Sequence, residues 1–213
     1  MARIPAELIF RIDRIFRRPR VEGRESALAY SEWEYRTGMA LVERYSKYFG
    51  RIEGARLLDI GCGLGGKTVV YCEKGAAVTG VDIDPQNCRG AASFAGSRGR
   101  MVDVACGDAG ALPFRDGSFD FVVANDSMEH FSDPGRALGE IARVTRKGGS
   151  VFIFFTPWGS PLGSHLYDHI RTPWCHRVYG EGMLQELLEI SLREKGASNP
   201  AAGAAAMMKG YRE

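Results

Sequence analysis

The sequence predicts a doubly wound α/β domain, with a mostly parallel sheet of five strands and helical caps at both ends. Three observations carry this reading. Short apolar runs recur at 56–60, 77–81, 101–105, 119–124 and 150–156, and the segments between them are helix-compatible, which is the rhythm of βαβ units. The glycine-rich stretch "GCGLGG" at 61–66 follows the first run directly. The 213 residues, 45% hydrophobic and 25% charged, are enough for one sizeable core, or one core with an appended cap, and a single domain is the default.

Taken in order, residues 4–18 read as a basic amphipathic helix. At about 100° per residue, Leu8, Ile9, Ile12, Ile15 and Phe16 share one arc and Arg11, Arg14, Arg17 and Arg18 the opposite one, with Pro19 as the stop. A second helical region runs from about Glu25 to Tyr48, until Gly50 and Gly54 break it. The five apolar runs follow, and right-handed crossovers between them make the sheet doubly wound. Beyond Pro157 no strand pattern returns. Glu181 to Lys195 reads as a helix closed by Gly196, and "ASNPAAGAAA" as linker or helix end. The organisation expected is therefore a helical cap at 1–50, a ligand-binding core at 51–157 and a helical substrate-lid segment at 158–213.

Composition excludes several function classes. A formal net charge of +2 carries no signature of nucleic-acid binding. The five cysteines are odd in number and form no C-x-x-C, which fits neither a disulfide framework nor a zinc knuckle and points to a reducing, cytoplasmic setting. No apolar run approaches the length of a membrane span, about 20 residues. Residues 1–20 hold six arginines against Glu7 and Asp13, so the first helix is read either as a lid on its own domain or as a peripheral contact with an anionic membrane.

The glycine loop satisfies three patterns. Gly61, Gly66, Lys67 and Thr68 spell a phosphate loop, and Gly61, Gly63 and Gly66 spell the dinucleotide fingerprint. With Asp59 in front, the stretch also reads as the first motif of an S-adenosylmethionine site. Asp59, close to the end of its strand, opposes a triphosphate. Asp82, at the tip of the second strand, is placed to accept from both hydroxyls of an adenosine ribose, whether in NAD or in S-adenosylmethionine. Asp108, just past the third strand, would meet the adenine amino group, with Leu112 and Phe114 flanking the ring. A pyrophosphate in that crevice would face Asp59, Asp82 and Asp108 together, whereas a sulfonium and an ammonium are compatible with them.

These stretches, together with "FDFVVANDSMEHFSDP" and "ALGEIARVTRKGGSVFIF", resemble the consecutive motifs of class I S-adenosylmethionine-dependent methyltransferases, nearest the type 11 group, over about residues 56–156. The resemblance implies a Rossmann-like core. It implies that Gly61, Cys62 and Gly63 meet the methionine part of the cofactor through backbone and that Asp59 supports its amino group. It further implies that Asp82 takes the ribose, Ile83 packs on the adenine, Asp108 and Ala109 read the adenine edge, and Asn125 closes over the methionine end. The reaction implied is methyl transfer to a small-molecule acceptor. The alternatives are an NAD-binding oxidoreductase and a non-catalytic S-adenosylmethionine-binding module.

The remaining candidates are read from the residues. His130, after the fourth strand, is the candidate general base. The segment 156–181 concentrates His165, His169, Trp174 and His176 and is read as acceptor-binding, with no metal site. Since nothing after Phe155 alternates as a strand, the antiparallel hairpin usual at the end of this sheet is expected to be missing, and the chain is expected to be a fragment or a variant of the class.

Overall fold

A computed structural model describes residues 4–16, 23 and 26–212, so the predicted stop of the first helix at Pro19 lies outside the described residues. The elements are, in chain order, α1 (Ala6–Asp13), α2 (Ala27–Phe49), β1 (Arg56–Ile60), α3 (Gly66–Glu73), β2 (Ala77–Asp82), α4 (Pro85–Ser97), β3 (Asp103–Cys106) and β4 (Phe119–Asn125). A short 3₁₀ turn (Met128–His130), α5 (Pro134–Val144), β5 (Thr145–Phe154), α6 (Cys175–Val178), α7 (Glu181–Glu194) and α8 (Pro200–Arg212) complete the chain. They form two compact units: one holds α2 to β5, the other α1 and α6 to α8.

The first unit holds the predicted α/β core together with α2, which the sequence reading groups with α1 in an N-terminal cap. Its sheet has the order β3-β2-β1-β4-β5, and every pair is parallel. Both faces are covered, as parallel sheets require. Leu57, Phe121 and Val123 pack with Val42, Val70 and Tyr71 on one face, while Leu58, Ile60, Val122 and Ala124 pack with Leu112, Ile141 and Val144 on the other. The helices begin where the sequence offers caps. Ser26 Oγ accepts from the Ala29 amide, Asp84 from Gln86 and Asp133 from Arg136, and proline stands in the first turn after both aspartates.

Two details differ from the sequence reading. The fifth strand starts at Thr145 instead of 150, because the register slips between Phe119 and Phe121 and the chain bulges through Arg146 to Gly149. Asp120 holds that bulge by accepting from both Arg56 and Arg146. In the C-terminal third, the alanine-glycine run is the body of α8 instead of a linker or a helix end. Asn199 Oδ1 accepts from the Ala202 amide, and Pro200 leads the helix.

The second unit is helical, with no strand among its described residues. Phe10, Leu166, Ile170, Leu184, Leu187, Leu188, Ala204 and Met208 make its core. Here α1 is turned from the predicted arc: Ala6, Phe10 and Asp13 are buried, whereas Leu8, Ile12, Ile15 and Phe16 are exposed. The reason is polar. Asp13 is fully buried and accepts from the Arg171 amide at 3.0 Å, the Thr172 amide at 2.6 Å and the Thr172 hydroxyl at 2.7 Å, an anchor that no hydrophobic period reveals. No helix among the described residues is long and apolar enough to cross a membrane.

Candidate active site

The strand order reverses between β1 and β4, and such a switch point opens a crevice at the carboxyl ends of the strands. A cavity of about 510 Å³ lies there. It is walled by Gly61 and Gly63 after β1, Asp82 and Ile83 at the end of β2, Asp108 and Ala109 after β3, and Asn125 to Ser127 at the end of β4.

The glycine loop is shaped by its own backbone. The Gly61 and Cys62 amides donate to the Val81 carbonyl at 2.8 and 3.1 Å, and the Gly65 amide donates to the Cys62 carbonyl. Gly61 has a φ of 70°, and a Cβ there would strike Ser127, whose hydroxyl donates to the Ile60 carbonyl at 3.0 Å. Gly63, at a φ of 53°, has open space where a side chain would stand, so its backbone faces the cavity bare. Cys62 packs into the gap that Gly80 leaves, and burial pushes its thiol well above its ordinary pKa, which makes it a small apolar residue and no nucleophile.

Asp82 is oriented by three donors: the Gly63 amide at 2.9 Å on Oδ2, and on Oδ1 the Asp84 amide at 2.9 Å and Asn87 Nδ2 at 3.1 Å. Each carboxylate oxygen can accept twice, so Oδ2 retains a lone pair toward the cavity for a vicinal diol. Beside it Ile83 is 72% exposed, a large apolar side chain open on the cavity wall, as a residue that stacks on an aromatic ligand must be. Asp108 Oδ1 accepts from the Gly110 amide at 2.8 Å. Asn125 Nδ2 donates to the Tyr71 hydroxyl at 2.6 Å. His130 also reaches the wall, from the 3₁₀ turn.

Other sequence assignments land elsewhere. Asp59 is buried beneath the loop and is absent from the cavity wall; its Oδ2 accepts from the Thr68 hydroxyl at 2.7 Å, and burial pushes its pKa up to about 6. Leu112 and Phe114 belong to the core, where Phe114 meets the Phe119 ring edge-on at 5.1 Å. His169 Nδ1 lies 3.1 Å from Ser191 Oγ, Trp174 Nε1 donates to the Gly159 carbonyl, and the His176 ring lies 4.7 Å from that of Trp158. His165 sits at a φ of 56° with its ring 6.2 Å from Tyr167. These four residues belong to the helical unit. Among the described residues, no three His, Cys, Asp or Glu are placed to hold a metal ion.

The sequence reading missed the other side of the cavity. Helix α2 contributes Tyr30 and Glu34, four residues apart on one face, and α3 contributes Lys67. Lys67 Nζ donates to Asp126 Oδ2 at 2.9 Å and stands 3.6 Å from Glu34 Oε1. The pairing argues against the phosphate-loop pattern. The lysine and threonine that a phosphate loop would turn on phosphate and metal are held by Asp126 and Asp59. Four carboxylates (Glu34, Asp82, Asp108, Asp126) line the cavity against this one lysine, so a pyrophosphate would meet mostly like charge.

Comparison with known proteins agrees. A family model described as a methyltransferase domain, of the type 11 group, matches residues 58–153. The chain carries a class I S-adenosylmethionine-dependent methyltransferase domain. It is 37% identical over 113 residues to an uncharacterized methyltransferase of Mycobacterium sp. strain JLS, covering 53% of this chain and 43% of that protein. It is 32% identical over 153 residues to the demethylmenaquinone methyltransferase of Renibacterium salmoninarum, covering 72% of this chain and 57% of the relative. The crystal structure of the 4+2 cyclase SpnF superposes with a TM-score of 0.50 at 34% identity, over 54% of this chain and 43% of that one. The chain thus spans about half the length of the curated relatives it matches.

Proposed function

We propose that the protein binds S-adenosylmethionine in the cavity at the switch point and transfers its methyl group to a small-molecule acceptor. The observation that carries this reading is the set of groups on the wall. A carboxylate pre-oriented for a diol (Asp82), an open aliphatic side chain beside it (Ile83), a second acid past β3 (Asp108) and a bare glycine backbone (Gly63) suit adenosine followed by a zwitterion. The carboxylates suit a sulfonium better than phosphates.

The cofactor supplies an activated methyl group on a positively charged sulfur. The chain's own part is alignment and exclusion of water. Asp82 accepts from the ribose hydroxyls, Ile83 and Ala109 cover the adenine, and Asp108 accepts from its amino group. Gly61 and Gly63 present backbone to the methionine end, where Asn125, tied to Tyr71, forms part of the wall. Cys62 and Asp59 shape the loop from below. His130 lines the cavity after β4, which supports its role as the base that takes a proton from the acceptor.

The test is calorimetry with S-adenosylmethionine, S-adenosylhomocysteine, NAD and ATP on the wild type and Asp82→Ala. Micromolar binding of the first two alone is expected. Losing two charge-assisted hydrogen bonds to the ribose weakens that binding about 100-fold or more in the variant. Tight NAD binding, or undiminished affinity in the variant, would refute the reading. Transfer of a labelled methyl group to an acceptor from a small-molecule screen separates an enzyme from a protein that only binds the cofactor.

A further inference from the structure

The assignments above leave the carboxylate of Glu34, on the cavity lining, without a role. It stands on α2, 7% exposed, and lines the same cavity as Gly61, Gly63 and Asn125. Its two oxygens differ. Oε1 faces Lys67 Nζ at 3.6 Å, while Oε2 is buried without any hydrogen-bond partner. Buried polar atoms are almost always paired, and an unpaired carboxylate oxygen on a residue that lines a cavity is an acceptor whose donor comes with a ligand. The close packing that brings it there is built in: a Cβ on Gly66 would overlap Glu34 Cβ and the Ser31 carbonyl, so glycine at 66 is what lets α2 settle onto the first turn of α3.

We propose that Glu34, through Oε2, receives the α-ammonium of the methyl donor's amino-acid end. This rests on the methyl-donor reading given above and alters one part of it. The acid that sequence resemblance assigns to that ammonium, Asp59, lies beneath the loop and is already bonded to Thr68. Glu34 is a carboxylate of the cavity lining with a buried oxygen that no donor meets. Lys67 keeps Oε1 in place and leaves Oε2 without a donor, and the ion pair as a whole matches a zwitterion, which carries one charge of each sign.

The groups facing Glu34 are Lys67 from α3, Asp59 from β1 and Asp126 beyond β4. Burial is the largest influence and lifts its pKa to about 7; Lys67 opposes this, and the two aspartates add to it. In the free protein near neutral pH, Glu34 is therefore partly protonated. An arriving ammonium favours the carboxylate and expels that proton.

The experiment compares two ligands by calorimetry on the full chain. S-adenosylhomocysteine has the amino-acid end; 5′-methylthioadenosine has the adenosine and sulfur without it. Glu34→Gln is expected to weaken S-adenosylhomocysteine about tenfold or more and to leave methylthioadenosine within about twofold. Retained methylthioadenosine binding also shows that the variant is folded. Repeating the titrations at pH 7 in buffers of different ionisation enthalpy counts protons: the wild type releases a fraction of a proton on binding S-adenosylhomocysteine, and the variant releases none. Unchanged S-adenosylhomocysteine affinity in the variant, or equal weakening of both ligands, overturns the assignment while leaving the methyl-donor reading intact. A wild type that binds neither ligand removes both.

Discussion

Gly66 lies flush against Glu34, with no room between them for even a methyl group. The contact joins α2 to the first turn of α3 at the edge of the cavity, so stability and ligand binding meet at one glycine. Gly66→Ala forces the helices apart and is expected to cost about 1–3 kcal/mol in urea unfolding, the usual range for overpacking. The same variant should bind S-adenosylhomocysteine more weakly, because Glu34 moves with α2. Unaltered stability would show that α2 yields freely at this point.

Glu34 and Asp59 give stability an unusual dependence on pH. Burial holds them at about 7 and about 6, above ordinary values of 4.5 and 3.8. The folded state therefore binds more protons than the unfolded chain between about pH 4 and 7. Their contribution is full below the unfolded values and is lost as pH rises through 6 and then 7. Denaturant midpoints should be higher at pH 5 than at pH 7.5, the difference amounting to roughly 1–3 kcal/mol. Glu34→Gln and Asp59→Asn should each flatten that slope. A slope identical in both variants and wild type would contradict the assignment of these two protons.

His130 is expected to act on turnover and not on cofactor affinity. If it takes the acceptor's proton, His130→Ala lowers kcat by about 10²- to 10⁴-fold. Calorimetry with S-adenosylhomocysteine should give the wild-type affinity. A normal kcat in the variant would mean that the acceptor needs no base, and weakened cofactor binding would mean that the imidazole belongs to the cofactor site.

Asp13 is the polar anchor of the helical unit. Asp13→Ala leaves the Arg171 amide and both donors of Thr172 buried without their acceptor. The expected loss is about 3 kcal/mol of stability in that unit, read as lost hydrogen-exchange protection over residues 166–172. Asp13→Asn keeps an acceptor and should recover part of it. Full protection in the alanine variant would show that α1 is held by Phe10 and its apolar neighbours alone.

The sequence by itself determined the α/β core. Five apolar runs at βαβ spacing, caps at Asp84 and Asp133 followed by proline, and glycines at 61, 63 and 65 are local signals, because strand period, cap chemistry and positive φ depend on residues within a turn of one another. The sequence pattern put Asp82, Asp108 and His130 at or after strand ends, the family resemblance added Gly61, Gly63, Ile83, Ala109 and Asn125, and the parallel topology brings all eight to the lining of one crevice. Where residues far apart had to find one another, the sequence was silent. Whether Asp59 faces the ligand or Thr68 depends on how α3 settles over β1. Whether Leu112 and Phe114 flank a ligand or fill the core depends on α5 and β4. The face that α1 buries was decided by a carboxylate meeting two residues more than 150 positions away. The Glu34, Lys67 and Asp126 cluster joins three elements whose packing geometry no periodicity encodes, since charge pairing and steric fit act across space while hydrophobic period acts only along the chain.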